Sequence, residues 1–451
     1  MFFIGLVIIA IVLYIRDLKI SAMIVFFFFV TSGFDLIPED VTKLAFFSKG
    51  MDYAIMILAG IVFLESLYDF RKFWKPDFFT KYLIMLGVFL LLCIIYSLVV
   101  LHLEFAGVFR TVRYLFLWAA WFVFRNMDKR RLVQLSVVLF YVTVVCAVLY
   151  LLQIFFNQSI LNEGAVSKAE IFGIVFPRFY NQPSMLLFFV FVAIFRNPSH
   201  GVLKIITTAI LVVAVLGAFH RSLTGFFFFS LFLGFILLLP RLQRIRILTV
   251  SAILISVLIV FGGYRFMKSR TYADIQHVMA GEFMDLESGI DIEDMQKSTF
   301  TFRLMHLVER NMYLLEHPKA MLIGAGLMPE KSKQTGKMFS FDVGLMEELT
   351  SETVQVDTGD IAYSVLLIRF GYLGTALFVL PLIILTVYFY RRKHDKLALL
   401  SFSYMIMIFG LSFFSANLTN PLTFLLPMLG FHIISRSDVE PVKMDSILIK
   451  K

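Results

Sequence analysis

Thirteen apolar runs constrain this chain more than anything else in it. They lie at about 2–15, 20–37, 50–68, 81–101, 107–125, 132–156, 175–195, 202–218, 222–240, 246–264, 361–390, 397–416 and 420–435. Most approach the ~20 residues that a helix needs to cross a hydrocarbon core. In lipid, backbone N–H and C=O groups must be satisfied inside the segment, so runs of this length read as helices. The first two runs are short and read as a hairpin or one broken element, giving about 12 or 13 helices in all. Of the 451 residues, 59% are hydrophobic and only 16% charged, against about 25% charged in a soluble domain. The expected fold class is an all-α polytopic membrane protein. Its parts are an N-terminal bundle over 1–264, one large loop domain, mainly helical, over 265–360, C-terminal spans over 361–435 and a tail over 436–451. The N-terminus, "MFFIGLVIIAIVLYIRDLK", lacks a basic leader and a small-x-small cleavage site, and reads as a retained helix. Cys93 and Cys146 both fall inside apolar runs, which argues against a disulfide framework and a thiol metal site.

The net charge is +9. In a polytopic chain that reflects lysine and arginine on the inner loops rather than nucleic-acid binding. Alternate connections are basic: "RKFWKPDFFTK" from 71, "RNMDKRR" from 125, "RNPSHGVLK" from 196, "RLQRIR" from 241 and "RRKHDK" from 391. These are expected in the cytoplasm, with the C-terminal tail. The intervening "HLEFAG", "NQSILNEGAVSKAE" and "NLTNP" are nearly free of such residues and are expected outside, with the 265–360 segment. A segment of about 95 residues buries little core alone, so it is expected to lie on the bundle's outer end.

Arginines on that outer side need a reason. Arg110 and Arg113 stand three apart near a helix start, Arg178 follows in "FPRFYNQPS", and Arg221 sits in the tight turn "AFHRSLTG". Arg369 lies roughly 13 Å into the helix that begins near 361. A charge at that depth normally faces a bundle interior or a wet cavity. Each of the others also reads as a cation reaching for headgroups. Taken together they predict a cluster suited to phosphate oxygens, which guanidinium grips in bidentate fashion.

"FRLMHLVERNMYLLEHP" from 302 reads as a helix stopped by Pro318. Arg303, His306, Arg310 and His317 fall within about 60° on one face. Met305, Val308, Met312 and Leu315 form an apolar stripe opposite. That pattern predicts a solvated basic face and a packed apolar one. No nucleotide loop, HExxH, CxxC or GxSxG motif is present, and no acidic pair at an outer helix junction suits a metal. The expectation is chemistry without a cofactor or metal.

The turn "HRSLTG", the loop stretch "FRLMHLVERNMYLLEHPKAMLIGAG" and the later "DTGDIAYSVLLIRFGYLG" resemble the O-antigen polymerase and O-antigen ligase superfamily of bacterial membrane glycosyltransferases. Arg221 matches that family's turn arginine, Arg303 its loop-helix arginine, and Pro318, Gly324 and Gly326 its "P…G.G". The family's loop ends at a histidine eleven residues before a glycine. Here Asp360 stands eleven before Gly371, with Tyr363 in the following aromatic place. An aspartate where ligases carry histidine points towards a polymerase. The resemblance implies transfer from a polyprenyl-diphosphate oligosaccharide to a sugar hydroxyl on the outer face of the bacterial inner membrane, with inversion and without metal. It implies Asp360 as base with His306 second, and Arg221, Arg303, Arg310, Arg110, Arg113, Arg178, Arg369 and Tyr363 around the diphosphate and sugar. The implied partners are lipid-linked oligosaccharides, membrane lipids, a chain-length regulator and a flippase, with no nucleic acid. Asp360 as a plain helix cap, a ligase, and a flippase of lipid-linked units remain open alternatives.

Overall fold

The computed structural model describes residues 2–42, 49–74, 77–162, 166–171, 174–240, 299–330, 332–343, 354–356, 359 and 361–436, with isolated positions between 242 and 281. The fold is mostly helical. Six of the described helices are long and apolar enough to cross a membrane: α3 (Gly50–Tyr68), α4 (Phe78–Val100), α5 (Phe105–Arg125), α6 (Lys129–Phe156), α9 (Arg221–Leu238) and α12 (Ala362–Arg391). Six shorter apolar helices accompany them: α1 (Phe2–Ile15), α2 (Lys19–Val30), α7 (Leu186–Arg196), α8 (Gly201–Leu216), α13 (Lys396–Leu411) and α14 (Leu422–Ser435). Two further helices, α10 (Thr299–Glu316) and α11 (Pro318–Ile323), belong to the loop segment. Most of the expected 246–264 run, most of 265–298 and the tail from 437 lie outside the described residues.

The centre of the bundle is α13, which packs on α7, α9, α12 and α14. Small residues permit the close approach. A Cβ on Gly234 of α9 would stand 2.6 Å from Ser403 Oγ of α13, and one on Gly410 would meet the Phe226 ring. Trp118 stacks on Phe424 at 4.5 Å to tie α5 to α14. Apolar rows on α4 (Ile84, Val88, Leu91, Leu92) and α8 (Val202, Ile205) are exposed.

The bundle has two chemically distinct ends. One, the basic end, gathers the arginine-rich connections: Arg125 pairs with Asp77 at 2.9 Å, Arg131 with Asp17, and Arg196 with Asp395 at 4.0 Å. Three of the acidic residues there are helix caps. Asp77 accepts from Thr80 N at 2.6 Å, Asp128 from Arg131 N at 2.8 Å and Asp395 from Leu397 N at 2.7 Å. The other end carries the motif segments and is called here the motif end.

Two runs fold otherwise than their hydropathy predicts. The run at 175–195 is not one helix. Strand β2 (Ile174–Phe179) pairs antiparallel with β1 (Val166–Ile171), Arg178 opposite Ser167, and α7 begins only at Leu186. "IVFPRF" carries β-branched and aromatic residues, and its Pro177 cannot donate to a helical ladder. The run at 20–37 stops at Val30 because Ser32, Gly33, Phe34 and Asp35 all take positive φ, from 49° to 72°.

Candidate functional site

The motif end is assembled around glycines. Helix α12 is broken at Gly371 (φ 63°, ψ −169°), a conformation that is nearly confined to glycine. The break frees Ile368 O, which accepts instead from Ala325 N at 2.8 Å. Gly324 (φ 82°) lies so close that a Cβ there would come 2.1 Å from Arg369 O, and a Cβ on Gly371 would come 2.6 Å from Gly324 N. Gly324 and Gly371 are therefore two halves of one backbone contact, and Gly326 (φ 102°) lies beside it against the Leu101 side chain. Beyond it, Leu327 N donates to Ser97 Oγ at 3.0 Å, and Pro329 packs on Gly107. Arg369, 6% exposed, donates through Nη2 to Met328 O at 3.3 Å. Its depth is accounted for by this loop contact.

A second contact hub is Phe414, in the turn between α13 and α14. The Arg303 guanidinium stands 5.6 Å over its ring, Phe300 stacks on it at 5.5 Å, and Phe226 of α9 touches it at 5.7 Å. Arg221 is the first residue of α9, exposed, one residue after the cap His220, whose Nδ1 accepts from Leu223 N at 3.3 Å. Phe219 stacks on Phe176 of β2 at 5.4 Å, and Arg178 lies two residues on, on the same strand face, over Tyr180 at 4.6 Å. Aromatic contacts thus link the elements that carry Arg178, Arg221 and Arg303. The helix N-terminus beneath Arg221 adds a partial positive charge. Together these features suit an anion.

The remaining arginines do different work. Arg113, buried, makes a double contact with Asp52 of α3 at 2.9 Å to each carboxylate oxygen, whereas Arg110 is exposed. The two stand three apart, yet they do not share an environment. On α10 the expected sidedness holds only in part: Met305 is buried and His317 exposed, but His306 and Arg310 are 2% and 1% exposed while Met312 and Leu315 are 43% and 58% exposed. The reason is chain closure. Arg310 donates to the carbonyls of Val343, Val354 and Gln355, pairs with Glu309 and lies 4.2 Å over Phe341. Glu309 accepts from Asp342 N at 2.7 Å, and Glu330 from Gln355 N at 2.7 Å. Arg310 is a clamp on its own loop, and burial draws its pKa down to about 10.

Burial, with Arg310 one turn away, pushes His306 down to about 2, and neither ring nitrogen has a hydrogen-bond partner among the described residues. A base of that strength accepts a proton poorly near neutral pH. His317 is exposed, with Nδ1 at 2.8 Å from Tyr313 O. Tyr363 Oη donates to Phe409 O at 3.3 Å, and its ring meets Phe413 at 4.5 Å. Asp360 lies outside the described residues. On either side of it, Gly359 O accepts from Ala416 N at 2.9 Å and Ala362 N donates to Ser412 O at 3.1 Å. Both bonds go to the turn that carries Phe414.

One acidic residue at this end gave no signal in the sequence. Asp35 accepts from Ser184 N at 2.9 Å and from the Ser184 hydroxyl, and its own carbonyl accepts from Asn162 N. Burial pushes its carboxyl up to about 6. It stands near "NQPS", just after Arg178, and its left-handed backbone is the only local clue. Among the described residues no group of three or more His, Cys, Asp or Glu side chains could hold a metal ion. The fold is mostly helical, with six described helices long and apolar enough to cross a membrane and a motif end that gathers cations. No family model matches the chain, and no curated protein matches it.

Proposed function

We propose that the chain is an oligosaccharide repeat-unit polymerase of the O-antigen polymerase type, working on polyprenyl-diphosphate substrates at the outer face of a bacterial plasma membrane. The motif end is then the outer end, as the lysine and arginine bias of the loops expects. About a dozen spanning helices would carry one large outer loop domain. The observation that most supports this reading is the Phe414 turn. It holds the ring under Arg303, touches α9 five residues after Arg221, and bonds the backbone on both sides of Asp360. Three segments that the resemblance singles out by sequence thus share one short turn.

In this reaction the acceptor hydroxyl oxygen attacks the anomeric carbon of the donor. The bond from that carbon to the diphosphate oxygen breaks, and its electron pair leaves with the diphosphate. The hydroxyl proton passes to the Asp360 carboxylate, and the anomeric centre inverts. Negative charge grows on the leaving diphosphate, where Arg221, Arg303 and Arg178 would stabilise it. The downward shift of His306 favours Asp360 over His306 as base.

The test is reconstitution in liposomes with purified lipid-diphosphate repeat units. The reading expects a ladder of longer lipid-linked chains with no other acceptor present. Transfer only after lipid A core is supplied would make the chain a ligase. Movement of units across the bilayer without transfer would make it a flippase.

A further inference from the structure

The basic end holds a cavity that the reaction does not use. It has a volume of about 420 Å³ and lies between the ends of α4, α5, α12 and α14. Its wall is of two kinds. Phe78, Phe79, Ile384, Leu385 and Phe431 make an apolar half, and Trp121, Arg125, His432 and Arg436 give the other half its polar atoms. Three of those atoms are buried and lack a hydrogen-bond partner among the described residues: Trp121 Nε1, His432 Nε2 and Arg436 Nη1. His432 is 3% exposed and Trp121 2%. Buried polar groups are ordinarily satisfied, and these three are the donors and acceptors that a ligand entering the cavity would meet.

The charge balance indicates its sign. Asp77 also lines the cavity, but its carboxylate is taken by Arg125 Nη1 at 2.9 Å and by Thr80 N at 2.6 Å. Asp128, the other acid acting on Arg436, is held by Arg131 Nε at 3.0 Å. Among the described residues the Arg436 cation thus has no carboxylate of its own. A third guanidinium, Arg392, stands 4.8 Å over the ring of Tyr388, another lining residue. The position of the cavity indicates the rest. Phe78 on α4 and Ile383 and Val387 on α12, which flank it, are 69%, 44% and 42% exposed.

We propose that this cavity binds the phosphate headgroup of an anionic phospholipid from the leaflet bordering the basic end, with the start of an acyl chain along the apolar half. Arg436 Nη1, Trp121 Nε1 and His432 Nε2 supply the headgroup contacts. The bound lipid fastens α14 to α5 at the end of the bundle that carries the charged loops.

The test is lipid retention and lipid-dependent stability of the purified full chain in detergent. Wild type should keep about one phospholipid per chain in native mass spectrometry. Added phosphatidylglycerol should raise its Tm, and phosphatidylcholine should not. Arg436→Gln should weaken the phosphatidylglycerol effect at least tenfold in the concentration required. Ser435→Trp, which fills the cavity and keeps every charge, should abolish retention, and it guards against misfolding of the first variant. Equal retention by wild type and both variants would overturn the proposal. So would protection by phosphatidylcholine equal to that by phosphatidylglycerol. Inorganic phosphate protecting as well as the lipid would overturn the lipid assignment.

Discussion

Gly371→Ala is the sharpest perturbation of the motif end. At φ 63° and ψ −169° a residue with a side chain pays about 1–3 kcal/mol in backbone strain alone. The new methyl would also come 2.6 Å from Gly324 N and 2.7 Å from Leu322 C and O. These are backbone atoms and cannot rotate away. The loop must lift, and with it goes the Ala325 N–Ile368 O bond, worth about 1 kcal/mol. The sum, about 2–4 kcal/mol, shifts the docked-to-lifted ratio roughly 30- to 1,000-fold. Docking can be read by disulfide formation between Gly107→Cys and Pro329→Cys. A Cβ on Gly107 lies 3.7 Å from Pro329 Cβ, within the 3.5–4.5 Å that a disulfide spans. The expected outcome is rapid cross-linking on the wild-type background and a severe loss with Gly371→Ala. Gly225→Ala on α9, whose Cβ would meet nothing within 4 Å, should change neither cross-linking nor stability. Equal cross-linking and Tm for Gly371→Ala and wild type would refute the glycine contact.

Three further outcomes are expected. Arg221→Ala and Arg303→Ala should each abolish polymer while protein levels hold, and lysine should rescue poorly because it lacks the bidentate fork; full activity of both lysine variants, measured as chain length on gels, would argue against a phosphate grip. His306 is held neutral in the fold, far below its ordinary 6.5, so wild type loses stability as pH falls below 6.5 while the unfolded chain takes up the proton. His306→Leu should therefore gain about 2 kcal/mol on wild type between pH 8 and pH 5, at 1.36 kcal/mol per pH unit, and a pH-independent difference in unfolding would contradict this. An impermeant thiol label should reach Ser332→Cys from outside intact cells and His394→Cys only after permeabilisation, and the reverse pattern would invert the assigned topology.

Apolar length carries the helical character of the chain and its six described candidate spans, because a spanning backbone has few other solutions. Long-range pairing was not legible. Arg113 reads as a free outer cation until Asp52, 61 residues away, is seen to hold it. The sidedness of α10 misleads for a related reason. Periodicity assigns the core to Met312 and Leu315, but Arg310 and Glu309 are needed inside to tie down the 342–343 and 354–355 backbone. The β1–β2 hairpin hides inside an apolar run, where only Pro177 and its aromatic neighbours argue for a strand. The glycines fared better. Gly324, Gly326 and Gly371 stood out through the family resemblance, and their positive φ supplies the physical reason.

The measurement that bears most directly on the central claim is chain extension by purified wild-type protein, from lipid-diphosphate repeat units alone, in excess EDTA, beside Asp360→Asn. Wild type should give a ladder that EDTA leaves intact. Asp360→Asn should bind the lipid-linked unit with unchanged affinity and yield no longer product. A wild-type ladder that vanishes in EDTA and returns with magnesium, or one that Asp360→Asn makes equally well, would contradict that claim.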